Sequence, residues 1–116
     1  MFRKCHNLIE PPQLPANKLA TKCYYKMFEE CTQIKRTPFL LAKKLTNNCY
    51  EGMFKDCILL TDVSELPATT LKPECYKGMF AGCKSLTSAP LLPAFNLAYG
   101  CYSYMFKNCT SLSTAP

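Results

Sequence analysis

The residues best equipped for chemistry in this 116-residue chain are its nine cysteines. They form two columns with a common step of 26: Cys5, Cys31, Cys57, Cys83 and Cys109, and Cys23, Cys49, Cys75 and Cys101. Thiols in such a pattern can ligate a metal, form disulfides or pack as small apolar groups. A zinc site needs four Cys or His ligands converging tetrahedrally. There is no CxxC, His6 is the sole histidine, and two evenly spaced columns do not converge, so no metal is expected. His6 shares its column with Thr32, Ile58, Lys84 and Thr110, and a column that accepts all of these is solvated surface. The chain has no Gly-rich phosphate loop, paired carboxylates or nucleophile elbow. Gly52, Gly78 and Gly82 lie in or beside a repeated phrase and form no loop motif. The expectation is a non-enzymatic protein with no cofactor.

The choice between disulfides and packed thiols depends on the elements that carry them. The phrase CYKGMFAGC (75–83) recurs as CYYKMFEEC (23–31), CYEGMFKDC (49–57) and CYSYMFKNC (101–109). Around it the same step holds Met1, Met27, Met53, Met79 and Met105, the Phe after each, and Leu14, Leu40, Leu66 and Leu92. A 26-residue unit cannot bury its own apolar face, so stacked units must bury it against one another. From Leu71 through Cys75, Met79 and Cys83, apolar residues fall four apart, with Tyr76 and Phe80 widening the face. That spacing predicts helical segments over 20–31, 46–57, 72–83 and 98–109. The Thr- and Ser-rich return predicts short parallel strands over 8–11, 34–37, 60–63 and 86–89. Pro12, Pro38, Pro90 and Pro116 then stop the strand, with Ser64 the exception. Pro15, Pro67 and Pro93 turn the chain, with Leu41 departing.

In a helix, Cys75 and Cys83 lie about 12 Å apart along the axis. A disulfide needs Cα atoms within about 7 Å. Neighbouring helices about 8–10 Å apart also restrict like-to-like pairing. Buried thiols are the favoured expectation, and an exported location keeps disulfides open as the alternative. Met27, Met53, Met79, Phe28, Phe54, Phe80, Leu45, Leu71 and Leu86 are the expected core.

MFxxCxxL with a Leu-rich, Pro-containing return resembles the BspA-type leucine-rich repeats of bacterial surface proteins. MFAGCKSLTSAP and MFKNCTSLSTAP carry the likeness most closely, and MFRKCHNLIEPP and MFEECTQIKRTP are more diverged. The resemblance covers the whole chain. It implies an α/β leucine-rich-repeat-like right-handed solenoid, with one short parallel strand and one helical segment per coil. It also implies an extracellular or cell-surface setting, or the surface of a virion. Residues 1–116 are expected to be about 4.5 repeats from the interior of a longer array, since neither end departs from the repeat as a capping unit does.

The net charge of +6 lies wholly in residues 1–44, where nine Lys or Arg face three acids. Residues 45–116 hold five of each. Columns that vary between units are the expected surface. Those before the strand's end supply Glu10, Lys35, Arg36, Thr61, Asp62, Thr87 and Ser88 as candidate ligand contacts. Those before the predicted helix add Lys43 and Lys44, which complete a basic cluster within one unit. The expected partner is a protein or glycan ligand of acidic character, with further repeats or a partner chain covering the ends. Nucleic acid is disfavoured, because exposed aromatics do not alternate with the basic residues. No apolar run is long enough to span a membrane. The alternative is a structural spacer in a fibre or stalk, for which the uniform Ser/Thr surface of the later units suffices.

Overall fold

Every second backbone N–H of residues 48–57 leaves its own segment. Asn48, Tyr50, Gly52, Phe54 and Asp56 donate to the carbonyls of Pro73, Cys75, Lys77, Met79 and Ala81 at 2.8–3.1 Å. The N–H groups between them stay local. Cys49, Glu51, Met53, Lys55 and Cys57 donate three residues back at 3.1–3.3 Å. An α-helix would send all of these bonds to the fourth residue back. In this computed structural model, residues 2–13, 24–92 and 98–113 are described, and no α-helix occurs among them. The helices expected over 46–57, 72–83 and 98–109, and the described part of that over 20–31, are runs of linked turns instead.

The backbone angles explain how the run is built. Asn48, Gly52 and Asp56 have φ of 58°, 60° and 60°, and their equivalents Glu74, Gly78 and Gly82 have 56°, 60° and 76°. Each is the third residue of a turn closed by a three-back bond, as in Met53 N–H to Tyr50 C=O. Positive φ at that position is the mark of a type II turn. The run therefore places a left-handed residue every four positions, where a helix tolerates none.

Away from the turn runs, the strands expected over 34–37 and 60–63 reduce to one parallel bridge, Arg36 with Asp62, and a second bridge, Lys44 with Thr70, falls outside the expected strands. No continuous strand forms over 8–11 or 86–89. Few N–H groups remain for a longer ladder. Leu60 N–H is committed to Cys57 C=O at 3.1 Å, and Pro38 has none to offer. Ser64, the exception in the proline column, does have an N–H, and it donates to Thr37 Oγ1 at 2.9 Å. Its hydroxyl donates to the Pro38 carbonyl at 3.1 Å. Thr37 is buried and holds a column otherwise occupied by Pro11, Val63 and Ala89, so the two polar departures satisfy each other.

Because residue i bonds the carbonyl of residue i+25, successive passes run parallel and in register. Aromatic rings then stack on their own equivalents. Phe2, Phe28, Phe54, Phe80 and Phe106 have centroids 5.5–5.8 Å apart and planes within 10°. Tyr24, Tyr50, Tyr76 and Tyr102 follow at 5.9–6.0 Å. Of the expected core, Met53, Met79, Phe28, Phe54, Phe80, Leu45, Leu71 and Leu86 are buried, and Met27 is half-buried. Phe54 is fully enclosed between two stacked neighbours. Phe54→Ala is expected to lower the unfolding free energy by about 3–5 kcal/mol in a urea titration. A loss below about 1 kcal/mol would remove the ring column from the core.

Candidate functional site

The two cysteine columns have different surroundings. Cys31, Cys57, Cys83 and Cys109 each donate a thiol proton to the carbonyl of Phe2, Phe28, Phe54 or Phe80 in the preceding pass, at 2.8–3.2 Å. Phe28 and Phe54 C=O also accept the N–H of Cys31 and Cys57 in their own pass. The thiol thus adds a hydrogen bond between passes that Ala or Val at the same position could not make. Cys49, Cys75 and Cys101 are buried in the second column. None of the eight described cysteines is in a disulfide.

The spacing argument against disulfides does not survive in its sequence form. With hydrogen-bonded passes about 4.8 Å apart, equivalent cysteines are close enough to bond. What keeps them apart is direction. Side chains in register point the same way, whereas a disulfide needs two that converge. Burial pushes the Cys57 and Cys83 thiols well above their ordinary range, and neighbouring thiols of the same column add to it. Burial raises Cys75 to about 12, against a backbone hydrogen bond at Lys72 that lowers it. Such thiols are poor nucleophiles at neutral pH.

The candidate ligand contacts, by contrast, are all exposed: Glu10, Lys35, Arg36, Lys43, Lys44, Thr61, Asp62, Thr87 and Ser88. On the bridge side, Lys35, Arg36, Thr61 and Asp62 lie at one bridge and Lys43 and Lys44 at the other. Lys35 C=O accepts the N–H groups of both Thr61 and Asp62 at 3.0 Å, and Thr87 C=O accepts that of Ser113 at 3.0 Å. Arg36 Nε meets Glu10 Oε2 at 3.4 Å, which reduces the free charge of the cluster. Lys35, Lys43 and Lys44 make no ion pair among the described residues.

Sequence reasoning missed two features. A cleft of about 640 Å³ is lined by Phe39, Leu41, Lys43, Val63 and Glu65 among others. Phe39 and Leu41 are 65% and 54% exposed. Leu41 was visible as the departure from a proline column, and Phe39 stands where other units carry Gln13, Glu65 and Leu91. The second feature is a groove along the turn runs, lined in part by glycine. The signal for it was the placement of Gly, Asn and Asp four residues apart. Among the described residues, three or more His, Cys, Asp or Glu side chains nowhere gather as a metal site would require. No helix among them is long and apolar enough to cross a membrane.

Folding stability should fall as the pH rises. A thiol whose folded pKa is raised is protonated in both states below about 8.5, where its contribution is complete. Above that, the unfolded chain loses the proton first, and stability declines until the pH passes about 12 for Cys75. Melting temperature should be flat from neutral pH to about 8 and drop beyond it, with a shallower drop in Cys75→Ala. Reductant should leave the neutral-pH value unchanged. Peptide mapping after alkylation of denatured, unreduced protein should find label on Cys49, Cys57, Cys75 and Cys83. Unlabelled, linked cysteines would contradict the free columns.

No protein-family model, curated protein or solved structure matches the chain.

Proposed function

We propose that the chain is a non-enzymatic recognition module, built as a leucine-rich-repeat-like solenoid and displayed outside the cell or on a virion. Its ligand surface is the bridge side, and its ligand is an acidic protein. One observation carries this reading: exposed Lys43, next to exposed Lys44 in the chain, lines a cleft with exposed Phe39 and Leu41. Exposed apolar side chains beside charged ones follow the anatomy of a protein contact, with an anchor at the centre and polar groups at the rim. The cations supply steering and discrimination more than raw affinity. An acidic glycan would use the same lysines but gains little from Leu41.

The spacer reading draws on a separate observation. Thr87, Ser88 and Ser113 repeat one small hydroxyl texture, and the Ser113 hydroxyl is bonded back to the Thr87 carbonyl at 3.1 Å. Such a surface offers little to discriminate between partners. The two readings separate in one experiment. The full chain and a variant carrying Lys35→Glu, Lys43→Glu and Lys44→Glu would be passed over an immobilised panel of acidic extracellular proteins and heparin. A recognition module should retain at least one protein, and the variant should bind it about tenfold or more weakly. Phe39→Ala should weaken protein binding and leave any heparin binding intact. The melting temperature of the charge variant should barely move, because these lysines are exposed and make no ion pair among the described residues. Retention of nothing on the panel would favour the spacer.

A further inference from the structure

The turn runs carry a groove that the bridge-side reading does not use. It has a volume of about 460 Å³ and crosses successive passes. Gly52, Gly78 and Gly82 lie in it at positive φ; Lys26 leans over Gly52 and Asp56 over Gly82, so bare backbone faces the groove at Gly78. A smaller depression of about 220 Å³ shares Lys77 and Tyr104 with it and continues to Tyr99. Tyr99 and Tyr104 are 83% and 63% exposed, the first and fourth most exposed large hydrophobic side chains among the described residues. Lys107 Nζ lies 5.2 Å from the Tyr104 ring centre, on a ring otherwise open to solvent.

The polar lining has both signs. Asp56 and Glu51 stand among Lys55, Lys77 and Lys107, with the Asn108 amide beside them. Glu74 pairs with Lys77 at 3.2 Å. A phosphodiester chain would meet carboxylates here, and a helical peptide would need a continuous apolar strip that the lining lacks. Sugar hydroxyls both donate and accept, so they suit carboxylate, ammonium and amide groups together. The C–H faces of a pyranose pack on tyrosine rings whose polar end remains in water. The passes also repeat at about 4.8 Å, comparable to the length of one pyranose along a chain. The bare backbone at Gly78 lets the chain approach closely there.

We propose that this groove, open to backbone at Gly78 and ending at Tyr104 with Tyr99 in the depression beyond it, binds a neutral oligosaccharide chain. The site is independent of the basic cluster, so either can fail without the other.

Gly78 permits a direct test. A Cβ built there meets nothing within 4 Å, and its φ of +60° is one that asparagine tolerates. Gly78→Asn should keep the fold and cover the bare backbone. The full chain would be screened on an array of neutral glycans, and hits titrated by calorimetry with chitotetraose or cellotetraose as the reference soluble probes. Binding should weaken about tenfold or more in Tyr104→Ala and in Gly78→Asn, and stay unchanged in the Lys35, Lys43 and Lys44 charge variant. It should also be nearly independent of salt, since no ion pair with ligand is involved. Retention of no neutral glycan would overturn the proposal. So would binding indifferent to both groove variants, or steeply salt-dependent binding of heparin or oligo(dT) alone. Equal melting temperatures of Gly78→Asn and wild type show that a loss of binding is local.

Discussion

The alternation of backbone donors in the turn runs is the constraint on which the rest of the structure depends. One N–H closes a local turn, and the next reaches the following pass. Each turn run is thereby held to its neighbour at hydrogen-bonding distance, as are the bridges on the far side. Helices would have separated the passes by about 8–10 Å on one side and about 4.8 Å on the other, and the stack would have to curve strongly. With matched spacing on both sides, equivalent residues come into register. The Phe and Tyr columns can then stack with nearly parallel planes. The same register carries the Cys57 and Cys83 thiols to the Phe28 and Phe54 carbonyls one pass back.

The 26-residue step, the core columns and the exposed columns were legible because they follow from comparing units within the chain. The helix was misread for a specific reason. A run of turns with one left-handed residue in four buries side chains at i and i+4, and so does a helix of 3.6 residues per turn. Leu71, Cys75, Met79 and Cys83 satisfy both. The discriminating residues were the ones between them. Of the twelve positive-φ residues among the described ones, seven are Gly, Asn or Asp, the types that adopt this conformation at least strain. Read as a column four apart from Asn48 to Gly52 to Asp56, they argue for turns. The lysines, glutamates and Tyr104 in equivalent positions obscured the pattern, since for them the conformation is imposed by the stack.

Side-chain direction was the part that no spacing argument could supply. The disulfide question shows this. The sequence reading kept cysteines apart by the length of a helix, which is absent. The folded chain keeps them apart by parallel alignment, at separations that would otherwise permit a bond. Ser64 and Thr37 make the same point on a smaller scale. Each alone looks like a lapse from its column. Together they are a donor and an acceptor, because a residue that replaces proline brings an N–H that must be satisfied.

The turn architecture also determines what each face can display. On the bridge side, side chains alternate outward from a nearly extended path, so charge and apolar bulk can differ from one pass to the next, as Phe39 and Glu65 do. On the turn side, every fourth residue is held at positive φ, and a side chain there leans over the next pass. Lys26 Cγ would lie 3.1 Å from a Cβ at Gly52, and Glu74 Cγ 3.2 Å from one at Gly100. Asp56 reaches across Gly82 in the same way. Glycine in one pass is therefore what gives the long side chain of the preceding pass somewhere to lie. Where glycines follow in consecutive passes, as Gly78 follows Gly52, no side chain leans across the second and the backbone is left bare. The groove is thus a consequence of how glycines are distributed along a column, and it arises without departing from the repeat.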